Sequence, residues 1–167
     1  MQESYSLTDI AAATGISYEK LRYVVDQALL PGDRRTKGIT FSGSRGRGTA
    51  RRYTPFSAFG IACAALLLAA GLRRATVEAI LERVCAGNLG QRGFEAVPLY
   101  QAFQRREVSI LEIGDQVNWR IRGSADLHRK TLDTGWKQVE TGADLKDYEP
   151  LVTVSVDTAK LRRYFSL

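Results

Sequence analysis

Ser17, Tyr18, Lys20 and Arg22 fall within six residues, and their chemistry is that of recognition, not of bond breaking. Hydroxyls, an ammonium and a guanidinium so spaced can donate hydrogen bonds to base edges and to phosphates. A second group of cations follows: Arg34, Arg35, Lys37, Arg45, Arg47, Arg51 and Arg52 occur with no acidic residue between the first and the last. Such clusters bind phosphates, adding affinity with little sequence information. The chain carries a net charge of +6, yet from Asn88 onward twelve basic residues face eleven acidic ones. The excess therefore lies in the first half. Alone, the cluster reads equally well as a solvated loop; beside a recognition helix it is an electrostatic footprint for nucleic acid.

Catalytic groups are sparse. His128 is the single histidine, flanked by Arg129 and Lys130 on a polar stretch with no nucleophile motif around it. Asp144, Asp147 and Glu149 lack the spacing and glycine of a calcium loop. Cys63 and Cys85 match no metal-site spacing and read as small buried residues on helical patterns. Gly43, Gly46 and Gly48 follow no buried strand and open no helix, so they form no nucleotide loop. The expectation is a protein that is not an enzyme and takes no cofactor and no metal. Trp119, Trp136, Tyr148, Tyr100 and Phe103 read as core, with an effector pocket as the competing reading.

Two helices must position the first group. Ser6 caps one, with Asp9 at capping-box spacing, and Leu7, Ile10 and Ala11 share its inner face. Thr14-Gly15-Ile16 breaks it. Ser17 is expected to cap a second helix with Leu21, Val24, Val25 and Ala28 inward and Ser17, Tyr18, Lys20 and Arg22 outward. Residues 38–42 and 50–54 read as a hairpin around the glycine-rich turn 43–48. Thr54 and Pro55 open a third helix reaching about Ala70, with Phe56, Phe59, Cys63, Leu66 and Leu67 at helical spacing and Gly71 closing it. Its apolar run, Phe56 to Leu72, falls short of the roughly 20 residues of a membrane span, so a buried core helix and no membrane contact are expected. Thr76 is expected to cap a fourth helix with Val77, Ile80, Leu81 and Val84 inward.

Leu21-Arg22-Tyr23 and Leu29-Leu30-Pro31, at this spacing, resemble the start of the MerR family of transcription regulators. The family's second aromatic is Val24 here, its frequent acidic residue is Val25, and its usual glycine is Ala28. Arg51-Arg52-Tyr53 is similar to the ending of that family's hairpin wing, and Gly71-Leu72 to the joint between its third and fourth helices. The resemblance covers residues 1–86. It implies a winged helix-turn-helix, with the second helix in the major groove and the wing on the flanking backbone. It further implies that Tyr23 lies near the DNA backbone, although a core tyrosine is the competing reading. Arg45 and Arg47, at the wing tip, would order on DNA.

The family's long dimerisation helix has no counterpart in the pattern that follows. Residues 87–93, GNLGQRG, read as a linker, and 94–167 as a small α+β domain serving dimerisation, a partner or an effector. A helix is expected from Val97 to Glu107, then strands from Val108 to Gly114 and from Gln116 to Arg122. In the second strand Val117, Trp119 and Ile121 alternate with Asn118, Arg120 and Arg122. Leu151 to Val156 reads as a last strand and Thr158 to Phe165 as a terminal helix, giving three or so strands in all. The fold class is α+β. The functional expectation is a cytoplasmic, nucleoid-associated regulator of bacterial type that binds double-stranded DNA as a homodimer, with RNA polymerase or another DNA-bound protein as a partner. The opening MQESYSLTD, without a signal-peptide pattern, agrees with that location. The alternative is an architectural or phage-type DNA-binding protein, similar to an excisionase or a terminase small subunit, that recruits a partner.

Overall fold

A computed structural model describes residues 4–30, 51–86, 108–125 and 130–165. Expectations for the hairpin strand 38–42 and turn 43–48, the linker 87–93, the helix from Val97 to Glu107, and for His128, Tyr100 and Phe103 lie outside the described residues. So do those for the side chains of Phe56, Val84 and Cys85.

Helix α1 (Leu7–Thr14) begins at the expected capping box: the Asp9 amide donates to Ser6 Oγ at 3.1 Å and the Ser6 amide to Asp9 Oδ2 at 2.8 Å. Gly15, at φ +72°, ends it in the left-handed region. Helix α2 (Tyr18–Asp26) follows at once, burying Leu21 and Val24. Helix α3 (Pro55–Ala69) starts as expected, with Thr54 Oγ1 accepting from the Ser57 amide and proline at its first position. Ala58, Phe59, Ile61, Ala62, Cys63, Ala64, Ala65 and Leu67 are all buried, so α3 is covered on nearly every side. Each fully buried leucine or phenylalanine of this kind contributes about 1.5–3 kcal/mol. Small side chains let neighbours approach closely, and α1, α2 and helix α4 (Arg74–Ala86) all pack on it.

The rest is mixed helix and antiparallel sheet. Strands β1 (Val108–Gly114), β2 (Asn118–Ala125), β3 (Lys130–Asp133), β4 (Trp136–Gln138), β5 (Asp144–Leu145) and β6 (Thr153–Asp157) precede helix α5 (Thr158–Arg163). The order is β5-β4-β2-β1-β6, with β3 beside the distal part of β2. Leu111 opposite Ile121, and Ile113 opposite Trp119, line the inner face. Phe165, just beyond α5, is fully buried with its ring centroid 5.2 Å from Tyr5 and 6.4 Å from Phe59. One hydrophobic core thus runs from the helices into the sheet. No helix among the described residues is long and apolar enough to cross a membrane.

Several sequence expectations are corrected. Ser17 occupies the N-cap position of α2 but its side chain makes no capping bond. Ala28 lies past the end of α2, at φ +48°, instead of on its inner face. Helix α4 starts at Arg74, so Thr76 sits inside its first turn and caps nothing. Val117 falls in the β1–β2 turn and is exposed, while Asn118 is buried. The polar stretch Asp126 to Asp147 holds β3, β4 and β5, which doubles the expected number of strands. Their shortness hid them: two to four residues cannot display a period.

Candidate nucleic-acid interface

Tyr18 and Arg22, four residues apart, share one flank of the exposed arc of α2, and Lys20 and Tyr23, three apart, share the other. With Ser17, all are exposed: Tyr18 at 44%, Tyr23 at 43%, the Arg22 side chain at 66%. Tyr23 is therefore on the surface, against the core alternative. Leu21 and Val24 hold the opposite side of the helix in the core, so the polar face is fixed outward. Arg22 Nε donates to Asp26 Oδ2 at 3.2 Å, one turn on. An exposed pair of this sort is worth only about 0.3–0.5 kcal/mol, so a stronger anion displaces Asp26 readily.

The described part of the second basic group divides in two. Arg51 is exposed. Arg52 is engaged within the chain: Nε donates to Ser4 Oγ at 2.8 Å, Nη2 donates to the Ser4 carbonyl at 2.9 Å, and Asp9 Oδ2 lies 3.9 Å away. The bonds Asp9 accepts from Ser6, helped by Arg52, hold its carboxyl below the ordinary carboxylate range. Tyr53 is half-buried, and its backbone exchanges two hydrogen bonds with Tyr5, at 2.8 and 2.7 Å. The segment that leads into α3 is thus strapped to the start of the chain at Tyr5. Arg34, Arg35, Lys37, Arg45 and Arg47 lie outside the described residues.

Two further arginines stand near the C-terminal end of α2. Arg73 and Arg74 are exposed at the start of α4, and Arg74 Nη1 donates to Gln27 Oε1 at 2.6 Å. Gln27 caps the C-terminal end of α2, so the start of α4 lies against that end of the helix. The signal was present: two adjacent arginines opening a helix behind a glycine turn.

The sheet uses its arginines differently. Arg120 Nε donates to Glu112 Oε2, and Arg122 donates to both Glu112 oxygens, Nε at 3.1 Å. Glu112 is buried; the two guanidinium groups outweigh that burial and hold its carboxyl below the ordinary range. The Arg120 guanidinium also lies 4.5 Å from the centroid of Trp136. Trp136 packs edge-on against Tyr148 at 5.4 Å, over Gly114, where a Cβ would come within 2.9 Å of Pro150. Trp119 belongs to the inner core. Trp119, Trp136 and Tyr148 thus build the sheet, and none of the three lines the open groove at Arg73, Val117 and Leu151 or the one at Leu66 and Tyr164.

Among the described residues no group of three His, Cys, Asp or Glu side chains is placed to hold a metal. Compared with known families and with curated proteins, the chain matches no family model and no curated protein.

Proposed function

We propose that this protein is a sequence-specific regulator of transcription that binds double-stranded DNA through a winged helix-turn-helix formed by residues 1–86. The observation that carries this reading is the outward face of α2. Ser17 at the helix start, and Tyr18, Lys20, Arg22 and Tyr23 on two flanks of one exposed arc, follow a left-handed glycine turn, while Leu21 and Val24 lock the other side into the core. That is the arrangement a helix needs to place its N-terminal residues against base edges in a major groove. Arg51, Arg73 and Arg74, with the basic residues between Arg34 and Arg47, would then lie on flanking phosphates. One such module covers roughly 600–1,000 Å², which favours two half-sites and a homodimer. RNA polymerase or another DNA-bound protein is the expected further partner, and the nucleoid the expected location.

The test is selection from random duplex DNA across a salt series, followed by affinity measurement on the retained sequence. Arg22→Ala should cost about 1–3 kcal/mol and relax one position of the site. Arg73→Ala/Arg74→Ala and Arg51→Ala should weaken binding to all sequences alike, each lost phosphate contact lowering the salt slope by about 1. Arg52→Ala should lower both stability and affinity, because two of its donors bond Ser4 while its side chain stays about half exposed. Salt-sensitive binding without a selected motif would favour the architectural role, and no binding at low salt would overturn both.

A further inference from the structure

Strand β6 ends the sheet, and among the described residues no strand pairs with its outer edge. The direction of its backbone groups follows from one hydrogen bond. The Asp115 amide donates to the Val152 carbonyl at 2.9 Å, continuing the register that sets Ile113 opposite Val154 and Leu111 opposite Val156. Alternate residues of an antiparallel strand share a direction. Val152, Val154 and Val156 therefore address β1, and Thr153, Ser155 and Asp157 turn their amides and carbonyls outward.

Open edges are usually blunted by charged side chains, proline, a bulge, shortness or a covering helix or loop. The opposite margin follows that rule: β5 has two residues, and its Asp144 is paired with Lys137. Across Thr-Val-Ser-Val the edge of β6 carries no charge and no proline, and its one charge, Asp157, stands at the end. Instead it borders an open groove of about 420 Å³ walled by Thr14, Leu66 and Ala70 on one side and by Lys160, Leu161 and Tyr164 on the other.

We infer that this edge is a homodimer interface, in which β6 pairs antiparallel with β6 of a second copy about a two-fold axis at Ser155. The strand is complementary to itself in that register. Ser155 meets the partner's Ser155, Thr153 meets the partner's Asp157, and every outward amide and carbonyl from 153 to 157 finds a mate. Val154 falls opposite the partner's Val156 in the closer, non-hydrogen-bonded pairing. The Thr153 hydroxyl can donate to the partner's Asp157, whose other oxygen already accepts from the Lys160 amide at 2.7 Å. A register shifted by one residue would set the outward groups of one strand against the inward groups of the other. Choosing a second copy over a foreign peptide rests on the DNA-binding reading, which calls for two half-sites.

Cysteine at the axis tests the geometry in the full-length protein without DNA. Across a hydrogen-bonded antiparallel pair the two Cα atoms stand about 5.5 Å apart, within the range a disulfide spans. Ser155→Cys should form a covalent dimer about tenfold faster under mild oxidation than wild type or Thr153→Cys, whose partner position is 157. Ser155→Lys and Ser155→Glu should each sediment as monomers and, mixed, as a dimer. A monomeric wild type, or a dimer in which Ser155→Cys links no faster than Thr153→Cys, overturns the interface. DNA affinity of the same samples separates the two ideas. A monomer that still selects a motif removes the interface alone, and a dimer that binds no DNA removes the regulatory reading alone.

Discussion

Arginine does opposite work on the two sides of this molecule. On α2, Arg22 stands two-thirds exposed with one weak partner a turn away. On the sheet, Arg120 and Arg122 close over a buried glutamate, and Arg120 stacks on Trp136. Both regions carry arginines in the sequence, but only those of the sheet close on a buried carboxylate. Charge count therefore locates a nucleic-acid surface only after the cations with buried acidic partners are set aside; Arg52, bonded to Ser4 yet 47% exposed, stands between the two cases.

The sharpest way to break this contrast is to remove the acidic partner on each side. Glu112→Ala leaves two guanidinium groups facing each other on a partly buried sheet surface. It should destabilise the fold by about 2–3 kcal/mol, read from urea unfolding. Asp26→Ala takes the partner from Arg22 and should change stability by less than about 0.5 kcal/mol, while raising DNA affinity by removing a negative charge. Equal costs at the two sites would remove the distinction drawn here.

Acid separates the regions next. Asp9, Glu112 and Asp115 all have carboxyls held below the ordinary range. For Asp115 the causes are the Tyr148 hydroxyl, donating at 2.6 Å, and the amides of Val152 and Leu151. A depressed folded pKa means that the unfolded chain binds more protons in acid. The stability each group contributes is complete above the unfolded value, near pH 4, and is lost as pH falls through the folded one. Two of the three groups belong to the sheet, as do both tryptophans. Tryptophan fluorescence should therefore change at higher pH than the helical circular dichroism signal. Asp115→Asn should flatten the fluorescence limb, since asparagine tolerates φ +49° and keeps one acceptor.

The helical half was the more legible part of the sequence because its signals are local. The capping box at Ser6, Gly15 and the Thr54-Pro55 start each act within four residues, and each is present. The outward placement of Tyr18, Lys20 and Arg22 follows from Leu21 and Val24 at helical spacing. What the sequence hid depends on distant partners. Nothing near Arg52 announces Ser4, nothing near Arg74 announces Gln27, and Glu112 is buried only because β2 brings two arginines to it. Val117 extends the alternation of Trp119 and Ile121, yet the turn at Asp115 and Gln116, both at positive φ, takes it out of the strand.

The smallest expected effect compares the ends of two helices. Both α2 and α3 close with the same paired bonds: Leu29 to Val24 and Ala28 to Val25 in one, Leu72 to Leu67 and Gly71 to Leu68 in the other. This closure needs a left-handed residue just past the cap, a place glycine fills without strain. Gly71 fills it at φ +91°, whereas Ala28 fills it at φ +48° and bears its Cβ against the following carbonyl. Ala28→Gly should therefore stabilise the protein by about 1 kcal/mol, despite the extra freedom glycine gives the unfolded chain. Gly71→Ala should destabilise it by a similar amount, because a Cβ there meets no atom within 4 Å and only backbone strain is added. Thermal unfolding of the two variants measures both shifts. If Ala28→Gly also tightens DNA binding, the strained end of α2 sets the helix's position on its target as well as its stability.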